Sequence, residues 1–542
     1  MTGDEFLQRV LKAEEIKNID EIAVAEQGIF YMQRAAQGLF KLIVGLIEKN
    51  HQNFLLSFPK ITVFAGKGNN GGDGILLAAE LLKHDYKVKC YSTAHPSEYQ
   101  GESALAYQLF LQAGGKLDVI HNDADILSVK HFLLKQVNGI WVDALLGIGS
   151  RGAAHGICAK LIEVINSTKV QNKSLCVSVD IPSGIDVDSG EIFEPSINAD
   201  YTVQMGFSKI SSLFYPAKTK YGQIVFQELK YPLELVSRSS AIGIFSVDLS
   251  MVKSLIPERK ITGSKFDHGV GMLLAGSYGM SGAAMLSGSA AMRSGLGLLH
   301  VFSYEAVLPV IAANLWDAVL HPITENAKAN IDYIKDFLAS RKIDALALGP
   351  GLSTNAKSIS LVKNILELMT MIDSKPLILD ADAINVFVGS ADHLKAYSGE
   401  LLITPHAKEF SRLFQEDISE YAPYDKAKFL SETAKKYSLN ILYKGAPTYV
   451  ARSSGEVYIV PTGCSALAKA GSGDVLTGLI LSFTVQGLEL YQAAILAAYV
   501  HNLMGLLAVE KDSEYSVLAS DLIKYVGMAI EILKQDDVKN PL

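Results

Sequence analysis

Short runs of β-branched and aromatic residues alternate with longer stretches of helical apolar spacing along most of this chain. That alternation limits the available folds more than any other feature. Strand, helix and strand in succession close into a mostly parallel sheet with helices on both faces. From residue 55 to 230 the strand-like runs are ITVFAG, YKVKCYS, GIWVDALLG, LCVSVDIP, DYTVQMG and GQIVFQEL, with helical segments such as ILLAAELLKH and ALAYQLFLQ between them. Ahead of them, the first fifty residues read as two helices, one holding AVAEQGIFYMQRAAQGLFKLIVGLI. Between Leu233 and Lys265 the pattern loosens into a junction. It then resumes with GMLLAGS, LLHVFS, DALALGPG, PLILDAD, ELLITP and NILYKG, an apparent hairpin over TYVARSSGEVYIV, and a closing set of two or three helices. The expectation is an α/β protein of two domains, 1–235 and 236–542, which the length of 542 residues accommodates.

Bulk properties remove several function classes. A formal net charge of -8 argues against a sequence-blind nucleic-acid binder, which needs a basic face. Cys90, Cys158, Cys176 and Cys464 form no C-x-x-C pair and no metal-ligand spacing, so reduced, buried thiols are expected. The opening MTGDEFLQRVLKAEEIKNIDE is charged throughout and lacks the apolar run of a secretory leader; the expected location is the cytoplasm. The stretch AAILAAYVHNLMGLLAV approaches membrane-span length, but His501 and Asn502 interrupt it and charged residues follow at once. It reads as a buried helix of a large core, with no membrane partner.

The loop GKGNNGGDG follows the first strand-like run, and Gly66, Gly68 and Gly71 spell the G-x-G-x-x-G of dinucleotide-binding turns. The redox version also needs a carboxylate about twenty residues on, to grip a ribose hydroxyl. Here that region reads YKVKCYSTAH and offers none. Three further loops at the same sheet edge are chemically rich: DALLGIGSRG, VDIPSGIDVDSG and TVQMGFSK. Asn70, Asp143 and Ser183 supply oxygens from three of these loops with one formal negative charge, which suits a weakly held monovalent cation better than Mg²⁺ or Zn²⁺. Asn, Asp and Ser also cap helices and stiffen turns, and both readings stand at this point. Asp180 ends an apolar strand, as an acid–base group or as a structural carboxylate for the Pro-Ser-Gly turn that follows.

In the second half, AKAGSGDVLTG places Gly471 to Gly473 where backbone amides can hold an anion at a helix start, with Asp474 beside them to take a proton from a hydroxyl. No Gly-Lys-Ser/Thr follows, so this is not a Walker loop. Lys444 and Gly445 offer a cation and a free amide to a phosphate, and His406 in TPHAKE a hydrogen bond to substrate. Asp380 and Asp382 in LDADAIN either act through Mg²⁺ or cap the next helix.

Taken in order, GKGNNGGDG, DALLGIGSRG, VDIPSGID and ADYTVQMGFSK resemble the NAD(P)H-hydrate epimerase family. The segment YMQRAAQG is similar to that family's Leu-Met-Glu-Arg-Ala-Gly, with Gln33 for the Glu and Ala36 for the Gly. LLAGSYGMSGAA, LGPGL, LDADAIN, TPHAKE, YKGAPT and AKAGSGDVLTG resemble the ADP/ATP-dependent NAD(P)H-hydrate dehydratases within the ribokinase-like family. There Ala407 and Lys408 stand where that family has Pro-Gly, and Cys464 where it has Asn. The resemblance implies an N-terminal Rossmann-like three-layer α/β/α sheet and a C-terminal ribokinase-like α/β domain. It implies that Asn69, Asn70, Gly71, Gly72 and Asp73, the loop Gly147, Ile148, Gly149, Ser150, Arg151, Gly152 and Ala153, and Asp180 contact the hydrated dinucleotide. By the same resemblance Asn70, Asp143 and Ser183 hold K⁺. In the second domain Ala283, Gly351, His406 and Asp474 bind the hydrate, while Lys444, Gly445, Ala446, Pro447, Thr448 and Gly473 bind the adenine nucleotide.

The implied function is bifunctional repair. R and S forms of NAD(P)H hydrate are interconverted, with Asp180 as proton carrier, and the S form is dehydrated with ADP and Mg²⁺, Asp474 taking the hydroxyl proton. ATP is the alternative nucleotide. The expected partners are NADHX, NADPHX and ADP, with no nucleic acid and a homo-oligomeric state. The competing reading is a ribokinase-like vitamin or sugar kinase fused to a non-catalytic nucleotide-binding module.

Overall fold

In the computed structural model, which describes residues 9–49, 60–239, 242–372, 374–461 and 463–535, seven strands build the sheet of the N-terminal unit, Met1–Ala241. They are β1 (Ile61–Ala65), β2 (Val88–Ser92), β3 (Leu117–Val119), β4 (Ile140–Ala144), β5 (Leu175–Val179), β6 (Tyr201–Met205) and β7 (Gln223–Gln227). Their order is β3-β2-β1-β4-β5-β6-β7 and every pairing is parallel. The chain winds outward from β1 to β3, then crosses back to β4, so the strand order reverses between β1 and β4. A crevice at the carboxyl ends of those two strands is the natural ligand position in such a sheet.

Period-two alternation sorts side chains to the two faces. Ile61, Val63 and Ala65 of β1 and Ile140, Val142 and Ala144 of β4 join one apolar cluster. The helices Phe30–Lys49 and Asn69–Lys83 complete it. Phe64 and Trp141 point the other way, into a cluster closed by the helices Asp123–Leu133 and Gly156–Asn172. The two helices expected before the sheet are Ala13–Gln27 and Phe30–Lys49. Residues 1–8 of the charged opening, and residues 50–59 where the alternation begins, lie outside the described residues.

The second unit, Ile242–Leu542, holds ten strands: β8 (Ile244–Ser246), β9 (Val270–Leu274), β10 (Leu298–Tyr304), β11 (Val319–Ile323), β12 (Ala345–Leu348), β13 (Leu377–Leu379), β14 (Leu401–Ile403), β15 (Asn440–Tyr443), β16 (Thr448–Ala451) and β17 (Val457–Val460). The order is β11-β10-β9-β12-β13-β14-β15-β16-β17-β8, antiparallel only at β15/β16 and β16/β17. The expected hairpin is β16–β17. The stretch read as a junction also contributes to this unit: β8 lies within it and pairs with β17 at the sheet edge.

The helices Ser281–Arg293, Ser472–Val485 and Leu490–Lys511 share one large apolar cluster. By length and composition Leu490–Lys511 is apolar enough to cross a membrane, yet 83% of its most apolar window is buried inside the protein. The polar residues interrupting it are tied down: His501 Nε2 lies 3.1 Å from Ser472 Oγ, and Asn502 Nδ2 donates to the Pro461 carbonyl at 2.6 Å. It is a core helix, as its sequence indicates.

Candidate functional sites

The N-terminal unit opens a cleft of about 970 Å³ beside the ends of β1 and β4. Its walls include Gly66 to Asn70, Asp73, Leu145 to Arg151, Ala153, Asp180, Met205 and Lys209. Asp20, Tyr31 and Tyr231 line it as well. Among the residues expected to touch a dinucleotide, Gly71, Gly72 and Gly152 do not line it. The glycines of GKGNNGGDG are explained in part by packing. A Cβ on Gly66 would lie 2.0 Å from the Leu145 carbonyl oxygen, and one on Gly71 would lie 1.9 Å from that of Gly66. Close approach of the loop to the β4 loop therefore demands glycine without any phosphate.

Asn70, Asp143 and Ser183 converge at one corner of the β4 loop. Asn70 Nδ2 donates to the Leu146 carbonyl at 2.9 Å, and the Ser183 hydroxyl donates to Asp143 Oδ1 at 2.6 Å. The amide of Ser183 and the hydroxyl of Ser178 both donate to Asp143 Oδ2 at 2.9 Å. Burial pushes the Asp143 carboxyl upward, and these donors oppose the shift. The corner thus gathers amide, hydroxyl, carbonyl and carboxylate oxygens with one formal negative charge. That donor set fits an alkali cation and is too poor in carboxylates for a tightly held divalent ion.

Asp180 follows β5 in the left-handed region, at φ +64. Its Oδ1 accepts from the Met205 amide at 2.8 Å and from Lys209 Nζ at 2.5 Å. Lys209 is fully buried, and its ammonium also donates to the Met205 carbonyl at 2.7 Å. In the same cleft the Tyr231 hydroxyl donates to Asp20 Oδ1. Burial raises the Asp20 carboxyl to about 6, with Tyr231 and Lys209 opposing and Asp180 adding to the rise. Burial also lifts Asp73 well above the usual carboxylate range, reinforced by Asp180 and Asp20. Lys209, Asp20 and Tyr231 escape a reading of the sequence. Lys209 ends the TVQMGFSK loop with nothing to single it out, while Asp20 is one acidic residue among several on a charged helix.

In the second unit Gly471, at φ +88, precedes the helix Ser472–Val485, and Asp474 sits in its first turn. The Ser472 amide donates to the Lys469 carbonyl at 3.2 Å. The first-turn amides of Gly473 and Asp474 lack a helical partner and are the ones left for an anion. Burial, then the neighbouring Asp380, lifts the Asp474 carboxyl to about 7, while Lys444 opposes the rise.

Asp380 is not a free metal ligand. Its Oδ1 accepts from Lys444 Nζ at 2.6 Å and from Thr404 at 2.7 Å, and its Oδ2 from Thr477 at 2.6 Å. Asp382, at the start of a short helix, accepts from the Ser353 amide at 2.7 Å. Neither side chain caps that short helix, whose N-cap is Ala381; Asp380 is held by Lys444, Thr404 and Thr477, and Asp382 holds the Ser353 amide.

His406 caps the helix Ala407–Phe414. Its Nδ1 accepts from the Lys408 and Glu409 amides at 3.1 and 3.3 Å, and Glu409 returns a bond to the His406 amide at 3.0 Å. The half-exposed imidazole keeps Nε2 toward Glu409, 3.5 Å away. His406 also bridges to Lys444, whose amide donates to the Pro405 carbonyl at 2.9 Å. A Cβ on Gly473 would lie 3.2 Å from Lys444 Nζ, so Lys444 and the glycine-rich turn are neighbours. Lys444 to Pro447 form the turn between β15 and β16, closed by Oγ1 of Thr448, the first residue of β16, donating to the Gly445 carbonyl at 3.2 Å. Gly351, at φ +62, lies against Ala283: a Cβ there would sit 2.8 Å from the Ala283 methyl.

Comparison with known proteins gives both halves a match. A family model described as YjeF-related protein N-terminus covers residues 29–211. One described as NAD(P)H-hydrate dehydratase covers residues 271–527. A bifunctional NAD(P)H-hydrate repair enzyme of Moorella thermoacetica is 30% identical over 535 residues, 97% of each chain. A protein of the same description from Dictyoglomus turgidum is 30% identical over 542 residues, covering 98% of this chain and 100% of its own. Among solved structures, an ADP/ATP-dependent NAD(P)H-hydrate dehydratase from Bacillus subtilis, co-crystallised with ATP/Mg²⁺, is 30% identical. It covers 53% of this chain and 97% of that one, with a TM-score of 0.46.

Proposed function

The chain belongs to the family of bifunctional NAD(P)H-hydrate repair enzymes, and from that premise we propose which residues carry its two chemistries. It is an enzyme with an epimerase half and a dehydratase half. Hydration of a reduced nicotinamide leaves a hydroxyl on C6 in two epimeric forms. Hydroxide is a poor leaving group near neutral pH, and a phosphoryl group on that oxygen makes a far better one. A kinase-like fold therefore serves a dehydration.

One observation carries the dehydratase assignment: Asp474 stands in the first turn of a glycine-started helix, beside the Lys444 ammonium. We assign Asp474 to take the C6 hydroxyl proton. The first-turn amides of Gly473 and Asp474 and the Lys444 ammonium stabilise the transferring phosphoryl group. Ala283, Gly351 and His406 line the hydrate, and Lys444 to Thr448 the adenine nucleotide. We propose ADP as the co-substrate, yielding AMP and phosphate, with ATP as the alternative. Magnesium bound with the nucleotide would neutralise phosphate charge. No group of three His, Cys, Asp or Glu side chains suited to a metal occurs among the described residues. That fits an ion carried on the phosphates rather than one held in a protein cage.

In the N-terminal cleft we assign Asp180 to proton transfer near C6 and the Asn69 to Asp73 and Gly147 to Ala153 segments to the dinucleotide. Asn70, Asp143, Ser183 and the Leu146 carbonyl would hold K⁺, which would order the β4 loop. A cytoplasmic, homo-oligomeric protein is part of the same proposal and rests on the resemblance alone.

The test is incubation with NADH hydrate and either ADP or ATP. Recovery of the NADH absorbance is expected, and no recovery with either nucleotide ends the dehydratase assignment. A vitamin or sugar kinase would instead leave a stable phosphorylated product.

A further inference from the structure

We propose that Asp20 is the second proton carrier of the epimerase cleft, giving a proton to the C6 hydroxyl as it departs, while Asp180 receives one from the water that returns. The inference rests on the epimerase reading of this cleft and deepens it. Epimerising a carbon that bears both a hydroxyl and the ring nitrogen needs two groups. In the first step the C6–O bond breaks as the Asp20 proton passes to the hydroxyl. Water leaves, and the ring nitrogen's lone pair forms a C6=N1 iminium. In the second, water adds to the other face of C6 and loses its proton to Asp180. The sum moves one proton from Asp20 to Asp180, consumes no oxidant or reductant, and reverses with the roles exchanged. A second carboxyl separates proton donation to the leaving hydroxyl from proton acceptance by the returning water.

The geometry selects Asp20. Asp20, Asp73, Asp180 and Lys209 all line the same cleft. Asp180 is paired with the Lys209 ammonium at 2.5 Å, and this contact and the bond from the Met205 amide both fall on Oδ1, so it is the partner that the one buried ammonium takes. One ammonium cannot offset three carboxylates, so the remaining pair favours holding protons. Of those two, Asp20 is fixed in place. The Tyr231 hydroxyl binds its Oδ1 and leaves Oδ2 for substrate. Tyr231 is itself clamped in a stack, 4.8 Å from the Tyr31 ring at 19° and 5.3 Å from the Phe207 ring at 6°. A preorganised carboxyl is what proton donation requires. Asp73 makes no such hydrogen bond among the described residues. The charged groups acting on Asp20 are Asp180 and Lys209 in the same cleft, Asp73 on the helix Asn69–Lys83, and Glu21 on its own helix; Tyr31 and Tyr231 complete the titratable set.

The experiment follows exchange of R and S NADH hydrate by the full chain between pH 5 and 8, without nucleotide, with the uncatalysed rate subtracted. A donor that must carry its proton makes the rate fall as pH rises past about 6, the value for Asp20. Asp20→Asn is expected to slow exchange at pH 6 by about 10²-fold or more and to abolish that alkaline limb. Tyr231→Phe removes the bond that favours the carboxylate, so it should move the limb to higher pH. An Asp20→Asn protein with the parent's rate and limb, alongside an inactive Asp180→Asn, overturns this inference and leaves the epimerase reading intact. Exchange undiminished in Asp180→Asn as well overturns the reading itself. If Asp20→Asn fails to fold, Tyr231→Phe decides: an unmoved limb overturns the proposal.

Discussion

Lys444 Nζ lies 2.6 Å from Asp380 Oδ1, with the aspartate side chain 1% exposed and the lysine 21%. Burial alone would strip the charge from either residue. Lys444 instead holds Asp380 below the usual carboxylate range, and Asp380 holds Lys444 protonated, above the ordinary ammonium range. The pair sets a fixed positive charge next to Asp474 and the glycine-rich turn.

Removing the cation should therefore damage both fold and function. Lys444→Met leaves Asp380 buried with only two threonine donors, which costs about 3–5 kcal/mol in comparable pairs. The expected outcome in urea is a lowered midpoint for the second unit and loss of hydrate dehydration. Adding Asp380→Asn should restore part of the midpoint and none of the activity. A double variant no more stable than Lys444→Met would show that the uncompensated charge is not the cause.

Asp474 should behave oppositely in activity and in stability. As a base it must be ionised, so dehydratase kcat/KM should rise with pH through about 7 and then level. Asp474→Asn should lose about 10²–10⁴-fold and flatten the profile. The unfolded carboxyl titrates near 3.8, so between pH 4 and 7 the folded state binds the extra proton. Stability from this group is full below pH 4 and is lost as pH rises to 7. Asp474→Asn should then be more stable than the parent at pH 8, by about 1–2 kcal/mol. Thermal unfolding at pH 5 and pH 8 reads this directly, and an unchanged gap between the two proteins would refute it.

The alkali-cation assignment predicts a salt-specific epimerase. Exchange of the hydrate epimers should be faster in KCl than in tetramethylammonium chloride at equal ionic strength. Ser183→Ala should erase most of that difference. It also removes one donor, the hydroxyl, from buried Asp143, so a stability loss of about 1–3 kcal/mol is expected. The Ser183 amide remains in place and keeps its bond to Asp143 Oδ2. Equal rates in both salts would remove K⁺ from the site.

Much of this was readable in the chain because the central strands are apolar runs between glycine-rich turns. The strands the alternation does not reveal are the short or edge ones. β3 is only Leu-Asp-Val, β8 spans three residues in a loosened stretch, and β11 carries Pro322, which confines it to a sheet edge. The loops at the strand ends stood out by their chemistry, since Asp180 and Asp474 close distinctive motifs. Asp20 did not, because its significance comes from Tyr231, more than two hundred positions away in sequence. Nor did Lys209, whose burial is a property of the folded cleft. GKGNNGGDG misleads in a similar way: Gly66 and Gly71 are needed where the chain meets itself, whatever the loop binds.

The last prediction concerns acid. His300 Nδ1 lies 2.9 Å from His321 Nε2, and His321 Nδ1 lies 2.7 Å from the Tyr333 hydroxyl. The His321 ring also stacks on Phe302, 4.4 Å away at 11°. A single proton can bridge the two imidazoles, and burial lowers both, His321 to about 4. Buried His501 is likewise held at about 4, by burial and then by Lys444. An unfolded histidine titrates near 6.5. Between pH 6.5 and 4 the unfolded chain therefore takes up protons that the folded one refuses, and stability falls as pH is lowered through that window. The urea midpoint of the second unit should drop between pH 7.5 and pH 5. His321→Phe keeps the stacking on Phe302 but deprives buried His300 of its partner. It should lower the midpoint at pH 7.5 and shrink the drop to pH 5, with His501 supplying the remainder. A drop of the parent's full size in that variant would show that the histidine pair does not set the acid limit.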